Sequence, residues 1–346
     1  MKIFSTARKI RKAALLAVVA LVPVALPSPA AAQEPRTLKI SHQFPGGTLE
    51  QGDFRDRLCR RFAQEVEKRT KGSLKFEVYP GSSLMKTNSQ FGALRKGALD
   101  MCLVPLAYAG GEMPELNMTL MPGLVTSYEQ GMGWKNAPVG KELSKQLEEK
   151  GVKFVTWIWQ AGGVASRGTP VVEPESAKNL KIRGGSREMD LVLKAAGAAV
   201  LSLPSNEIYA AMQTGAMDAA LTSSTSLISF RLEEVSKALT TGRGKAYWFM
   251  LEPLLISKPI YDSLTKEQQD AITAVGAELE AFATEQAKAD DQAVAEVYTK
   301  AGLKVVDLND AAVEKWRAMA RDTAWKDFAA RNESCAKLIK LAEDVK

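Results

Sequence analysis

Residues 180–218 read LKIRGGSREMDLVLKAAGAAVLSLPSNEIYAAMQTGAMD. A short β-like segment presents a single arginine, Arg183, and a Gly-Gly turn leads into a helix expected over 186–196. A second short strand follows over 198–203, and another helix closes on Gly215. This βαβα unit places a cation where its first strand ends, the position at which open α/β sheets put their ligands. Upstream the same alternation continues. A strand over 37–41 is followed by a helix over 53–70 with Phe54, Leu58, Phe62 and Val66 spaced four apart. A strand over 74–79, a helix over 88–96 and a continuous apolar run over 101–105 come next, the last as expected of a buried parallel strand.

Residues 1–32 carry five basic residues, an apolar core from Ala13 to Leu26 and a small-residue end at Ala30, Ala31 and Ala32. That is the layout of a cleavable secretory signal, and the apolar run falls short of the roughly 20 residues a spanning helix needs. With those five set aside, 41 basic residues face 40 acidic ones. The basicity of the chain therefore belongs to the export signal, and nucleic-acid binding loses its support in composition. The remaining residues suffice for two medium domains. Cys59, Cys102 and Cys335 could form at most one disulfide in an oxidising compartment, and their spacing selects no pair. Cys59 in a helical run and Cys102 in an apolar strand suit small buried hydrophobes.

His42 is the only histidine, so a histidine-dependent triad would have to use it, and no GxSxG elbow is present. HExxH zinc sites are excluded, and no Walker A loop or GxGxxG fingerprint supports nucleotide chemistry. Residues 151–160 read as one strand ending KFVTWIWQ, with Trp157 and Trp159 on one face, running into a loop at Ala161-Gly162-Gly163. Core packing and ligand lining are both open to these indoles. Thr265 with Gln268 fits a capping box, and helix formers dominate through Lys300, about 54 Å at 1.5 Å per residue.

LKIR, the AAGA before a strand ending at Pro204, and NEIYAAMQTGAMD closely resemble the solute-receptor subunits of TRAP (tripartite ATP-independent periplasmic, DctP-like) transporters. The likeness extends to LKISHQFPGGT, RTKGSLKFEVYPGSSL, LRKGALDM and SKPIYDSLTKEQQDAI, covering nearly the whole mature chain. It implies an α/β, two-lobed periplasmic binding protein with a hinge and a long helix spanning both lobes. The division expected is a signal peptide over 1–32, lobe I over 33–156 plus 246–257 and part of the C-terminal region, and lobe II over 157–245. The interlobe helix would run over 265–300 and a C-terminal helical segment over 301–346. The resemblance further implies a receptor rather than an enzyme, without cofactor or metal, located in the periplasm. It would bind a small organic acid and deliver it to the TRAP membrane permease subunits.

Arg183 occupies the motif position of the family's carboxylate anchor. A guanidinium suits that task, because its rigid fork matches a carboxylate with two parallel bonds. His42 stands just after the first strand, where related receptors carry a polar group near the cleft; a loop histidine bonding backbone is the alternative. Several positions depart from the family. Gly162 falls where many relatives carry a second arginine, and nearby Arg167 aligns better with a basic residue preceding the strand. Ser205 stands where some have an aromatic ring, Thr222 where a side-chain amide is common, and Pro105 where sialic acid-type receptors place an acidic group. Trp159, Trp248 and Phe249 supply apolar area, with core packing equally open to each. With Gln160 and Thr222 they complete the expected ligand set. The expected ligand is a monocarboxylate with an aromatic or short branched apolar part. The rival readings are a secreted enzyme acting on a carboxylated small molecule and a receptor of this fold that feeds a sensor.

Overall fold

The computed structural model describes residues 35–243 and 245–345, so the export signal expected over 1–32 lies outside the described residues. Two sheets organise the chain. In the first, the order is β2 (Leu74–Tyr79), β1 (Arg36–His42), β3 (Met101–Leu103), β11 (Leu254–Ser257), β4 (Val152–Thr156). Its β1, β2 and β3 run parallel, and β11 is antiparallel to both neighbours. The second sheet runs β12 (Lys304–Asp307), β9 (Ala238–Thr241), β5 (Trp159–Ser166), β8 (Ala219–Ser223), β6 (Lys181–Arg183), β7 (Ala199–Val200), with β10 (Phe249–Leu251) also paired to β5.

Residues 151–160, expected as one strand, are two strands in two sheets. β4 pairs with β11 and β5 with β8, β9 and β10, so the chain changes lobe at Trp157-Ile158. Glu280 holds that crossing: its Oε1 accepts the Trp157 amide at 3.0 Å while Lys135 Nζ bonds both carboxylate oxygens at 2.7 and 2.8 Å. Trp157 then stacks on Phe154, centroids 4.3 Å apart, and Trp159 meets Trp134 edge-on at 5.1 Å, so the two indoles share no face. The glycines after Trp159 are likewise strand, not loop. A Cβ on Gly163 would lie 2.4 Å from the Thr240 carbonyl oxygen, so only glycine lets the strands approach this closely.

The return crossing also differs from the expected boundary at 246. β10 still belongs to the second sheet and β11 to the first, which puts the change of lobe at Glu252-Pro253. The C-terminal segment is not wholly helical, because β12 joins the second sheet beside β9 before the final helices.

The long helix, Lys266–Lys300, is capped as expected: Thr265 Oγ1 accepts from the Gln268 amide, and the Gln268 side chain accepts from the Thr265 amide. It packs on the helix Phe54–Arg69 and β4 of the first lobe and on the helix Ser224–Ser229, β5 and β9 of the second. One large apolar cluster runs through the first lobe and the crossings, and a smaller one, with Ile208, Met212, Leu239 and Tyr298, lies under the second sheet. Cys59, Cys102 and Cys335 are buried free thiols. Among the described residues, no helix is long and apolar enough to cross a membrane.

Candidate functional site

Arg183 is the last residue of β6, and its side chain is 1 % exposed. Three acceptors hold the guanidinium. Nε donates to the Leu203 carbonyl at 3.1 Å, Nη1 to the Leu221 carbonyl at 2.7 Å, and Nη2 to the Tyr108 hydroxyl at 2.6 Å. A guanidinium has five N–H bonds, so one remains on each Nη. Those two N–H bonds are the donors left to meet an acceptor such as a carboxylate.

The turn after Arg183 is shaped around this group. Gly185 has φ +92°, and a Cβ there would sit 2.7 Å from Nη1. Ser186 follows as N-cap of the helix Arg187–Ala195, accepting from the Met189 amide at 3.0 Å and donating to the Leu120 carbonyl of the first lobe at 3.0 Å. Burial pushes Asp190, in the first turn of that helix, up to about 6, against the pull of Arg183 and of the Gly184 amide. Trp248 closes the other side: its Nε1 donates to the Gly184 carbonyl at 3.0 Å, and its ring lies 2.5 Å from where a Cβ on Gly162 would be. The space that a larger residue at 162 would need is thus filled by indole.

Tyr108 was not anticipated. It stands on the 3-10 turn Leu106–Ala109 just beyond β3 in the first lobe, and its hydroxyl meets both Arg183 and the amide of Ser205 at 3.1 Å. The absence of an aromatic ring at Ser205 is therefore matched by a ring reaching across from the opposite lobe. A tyrosine one turn past a strand end, at the sheet's ligand-facing edge, was the signal available. Tyr108 and Gly185 both line a cleft of about 600 Å³, with Asn88 and Asn117 from the first lobe and Asp190 and Lys194 from the second.

The other expected residues divide. Thr222 is buried in β8 next to Leu221, whose carbonyl holds Arg183, and Trp248 adjoins Arg183 through Gly184. Trp159 and Phe249 face the helix Tyr128–Trp134: Trp159 lies against Gly131 and Trp134, and Phe249 meets Tyr128 edge-on at 5.2 Å. Of the three aromatic residues, Trp248 alone stands beside Arg183. Gln160 donates to Glu252 at the return crossing. His42 is fully buried inside the first lobe, stacked on Phe44. Its Nδ1 accepts the Phe44 amide at 3.2 Å, so Nε2 carries the proton toward Asp56 at 3.1 Å. Burial opposes ionisation of Asp56, but hydrogen bonds from His42, Arg60 and the Gly47 amide hold it below the usual carboxylate range. Arg167 lines a separate groove with Tyr209 and Glu234. Gln43 adds a buried side-chain amide without a protein partner just past β1.

Residues 48–332 match the model of the bacterial extracellular solute-binding protein family 7, DctP. The chain belongs to this family. Similar proteins include a "Solute-binding protein" of Albidiferax ferrireducens, 71% identical over 306 residues, 88% of this chain and 90% of that one. The C4-dicarboxylate-binding periplasmic protein DctP of Rhodobacter capsulatus is 27% identical over 282 residues, covering 81% and 82% of the two chains. Among solved structures, a TRAP periplasmic solute-binding protein from Rhodoferax ferrireducens, with bound malonate, superimposes with a TM-score of 0.88 at 71% identity over 89% of this chain and 98% of that one. The family 7 chain is accordingly a TRAP-type solute receptor, a component of transport and not an enzyme. Its two sheets, joined by the crossings at Trp157-Ile158 and Glu252-Pro253 and by the long helix that leads from β11 to β12, are the two-lobed architecture of those receptors.

Proposed function

We propose that this receptor takes up a compact organic acid in the periplasm, with a carboxylate on the two uncommitted Nη N–H bonds of Arg183, and presents it to TRAP permease subunits. The observation that carries the reading is the donor count at Arg183. Leu203, Leu221 and Tyr108 fix the guanidinium from three sides and leave one N–H on each Nη. The size limit rests on Trp248, which fills the space over Gly162, and on Tyr108, which closes from the opposite lobe. The malonate in the 71%-identical relative is consistent with an acid of this size. With Trp159 and Phe249 turned toward the helix Tyr128–Trp134, an aromatic acid has only Trp248 as a stacking surface.

Calorimetric titration of the exported chain with malonate, a short branched monocarboxylate, benzoate and galacturonate tests this. Binding of the compact acids above benzoate and galacturonate is the expected order. Tight binding of galacturonate alone would overturn the compact-acid reading.

A further inference from the structure

We infer that Arg55 holds the two lobes together over the cleft, as a positioning residue for capture and not as a contact of the ligand. The inference rests on the receptor reading only insofar as closure serves binding. Arg55 lies in the first turn of the helix Phe54–Arg69, and its side chain is 0% exposed. All five N–H bonds are committed. Nε and Nη2 grip Asp53 at 2.9 and 2.7 Å, Nη1 meets Glu252 Oε2 at 3.0 Å, and the remaining two reach Ser226 Oγ at 3.1 Å and Ser223 Oγ at 3.5 Å. The guanidinium carbon also sits 3.6 Å from the centroid of Phe44. Arg183 has two N–H bonds to give a carboxylate; Arg55 has none.

The partners belong to different bodies. Asp53, the N-cap of the same helix, and Phe44 move with the first lobe. Glu252 lies at the return crossing, and Gln160, at the start of β5, donates to the same Oε2. Ser223 ends β8, and Ser226 stands in the following helix, both in the second lobe. Rotation of that lobe about the crossings would part Arg55 from the two serines and leave it paired with Asp53. A charge buried this deeply needs its counter-ion in every state, and Asp53 supplies one from the same lobe. The serine bonds are therefore the switchable share, formed on closure where water is excluded. β8 connects them to the ligand anchor, because Leu221, two residues before Ser223, accepts from Arg183.

The test measures lobe separation in the full exported chain. Spin labels are placed at Lys68→Cys and Gln213→Cys, exposed positions on opposite lobes, while the native thiols are buried. Double electron–electron resonance distances are recorded for the parent, for Ser223→Ala with Ser226→Ala, and for Arg55→Lys, each with and without malonate. The expected result is a smaller closed fraction in both variants in each condition, with malonate affinity down about tenfold or more. A purely structural role would lower the melting temperature and leave the distance distribution where it was; that outcome overturns the inference. The serine pair removes no charge, so it remains decisive if Arg55→Lys does not fold. A parent that fails to bind malonate counts against the compact-acid reading, while the unliganded distances still decide the role of Arg55.

Discussion

A guanidinium held by the Leu203 and Leu221 carbonyls of its own lobe is oriented before the lobes close, so little ordering is left to binding. Arg183→Ala should therefore abolish carboxylate binding with the fold retained. Arg183→Lys should restore little, since an ammonium cannot reach Leu203, Leu221 and a carboxylate from one plane. The loss should be at least tenfold by calorimetry, as charge-assisted bonds are worth about 1.5 to 3 kcal/mol. Gly185→Ala tests the same geometry from the backbone side: its Cβ would meet Nη1 at 2.7 Å, and φ +92° is a conformation that L side chains rarely adopt. Affinity should fall with Arg183 intact, and an unchanged affinity would mean that the guanidinium has room to shift. Arg183 was legible as a candidate anchor because a family motif names its position. Tyr108 was not, because its role depends on a lobe brought across the cleft, about which spacing within one segment carries no information.

Elements were legible where local chemistry specifies them. The capping box at Thr265 and the alternating run before the Pro80-Gly81 turn act within a few residues, and both elements form as read. The break between β4 and β5 has no such mark. β5 is buried throughout and β4 is buried at its end, so buried residues continue through the crossing, and no Gly or Pro punctuates it. Only their pairing partners distinguish them. Gly276 shows the opposite situation, a glycine in a helix interior that would serve as a bend on propensity alone. A Cβ there would lie 2.3 Å from the Val155 carbonyl oxygen and 2.7 Å from Val155 Cγ1, so the residue marks where the long helix presses on β4. Gly276→Ala should gain up to about 1 kcal/mol in helix propensity. Forcing apart a packed contact costs typically about 1 to 3 kcal/mol, which outweighs that gain. The variant should denature at lower urea than the parent, and a higher midpoint would show that the helix can move off β4 freely.

Over the whole molecule, the long helix ties each lobe to the crossings through buried polar groups, and one of them makes stability depend on pH. Asp291 is 3% exposed; it accepts from the Tyr128 hydroxyl at 2.6 Å, on the helix that packs over Trp159, and Ser224 of the second lobe favours its charged form. Burial raises its pKa to about 6, and neighbouring Asp290 adds to the rise, while Ser224 and the Tyr128 bond only partly offset it. In the unfolded chain an aspartate titrates near 3.9. Between those values the folded state holds the proton and the unfolded state has released it, so folding takes up a proton. The stabilisation from this group is complete below about pH 4 and is lost as pH rises through 6. Above that, a buried carboxylate stands where a neutral acid was preferred, a difference of up to about 3 kcal/mol for a shift of this size. Asp291→Asn keeps an acceptor for Tyr128 and removes the titration. The variant should therefore be more stable than the parent at pH 8, with the difference shrinking toward pH 4. Melts across that range decide it: a variant that is less stable at pH 8 would mean that Asp291 is held ionised, its charge a necessary part of the joint between the lobes.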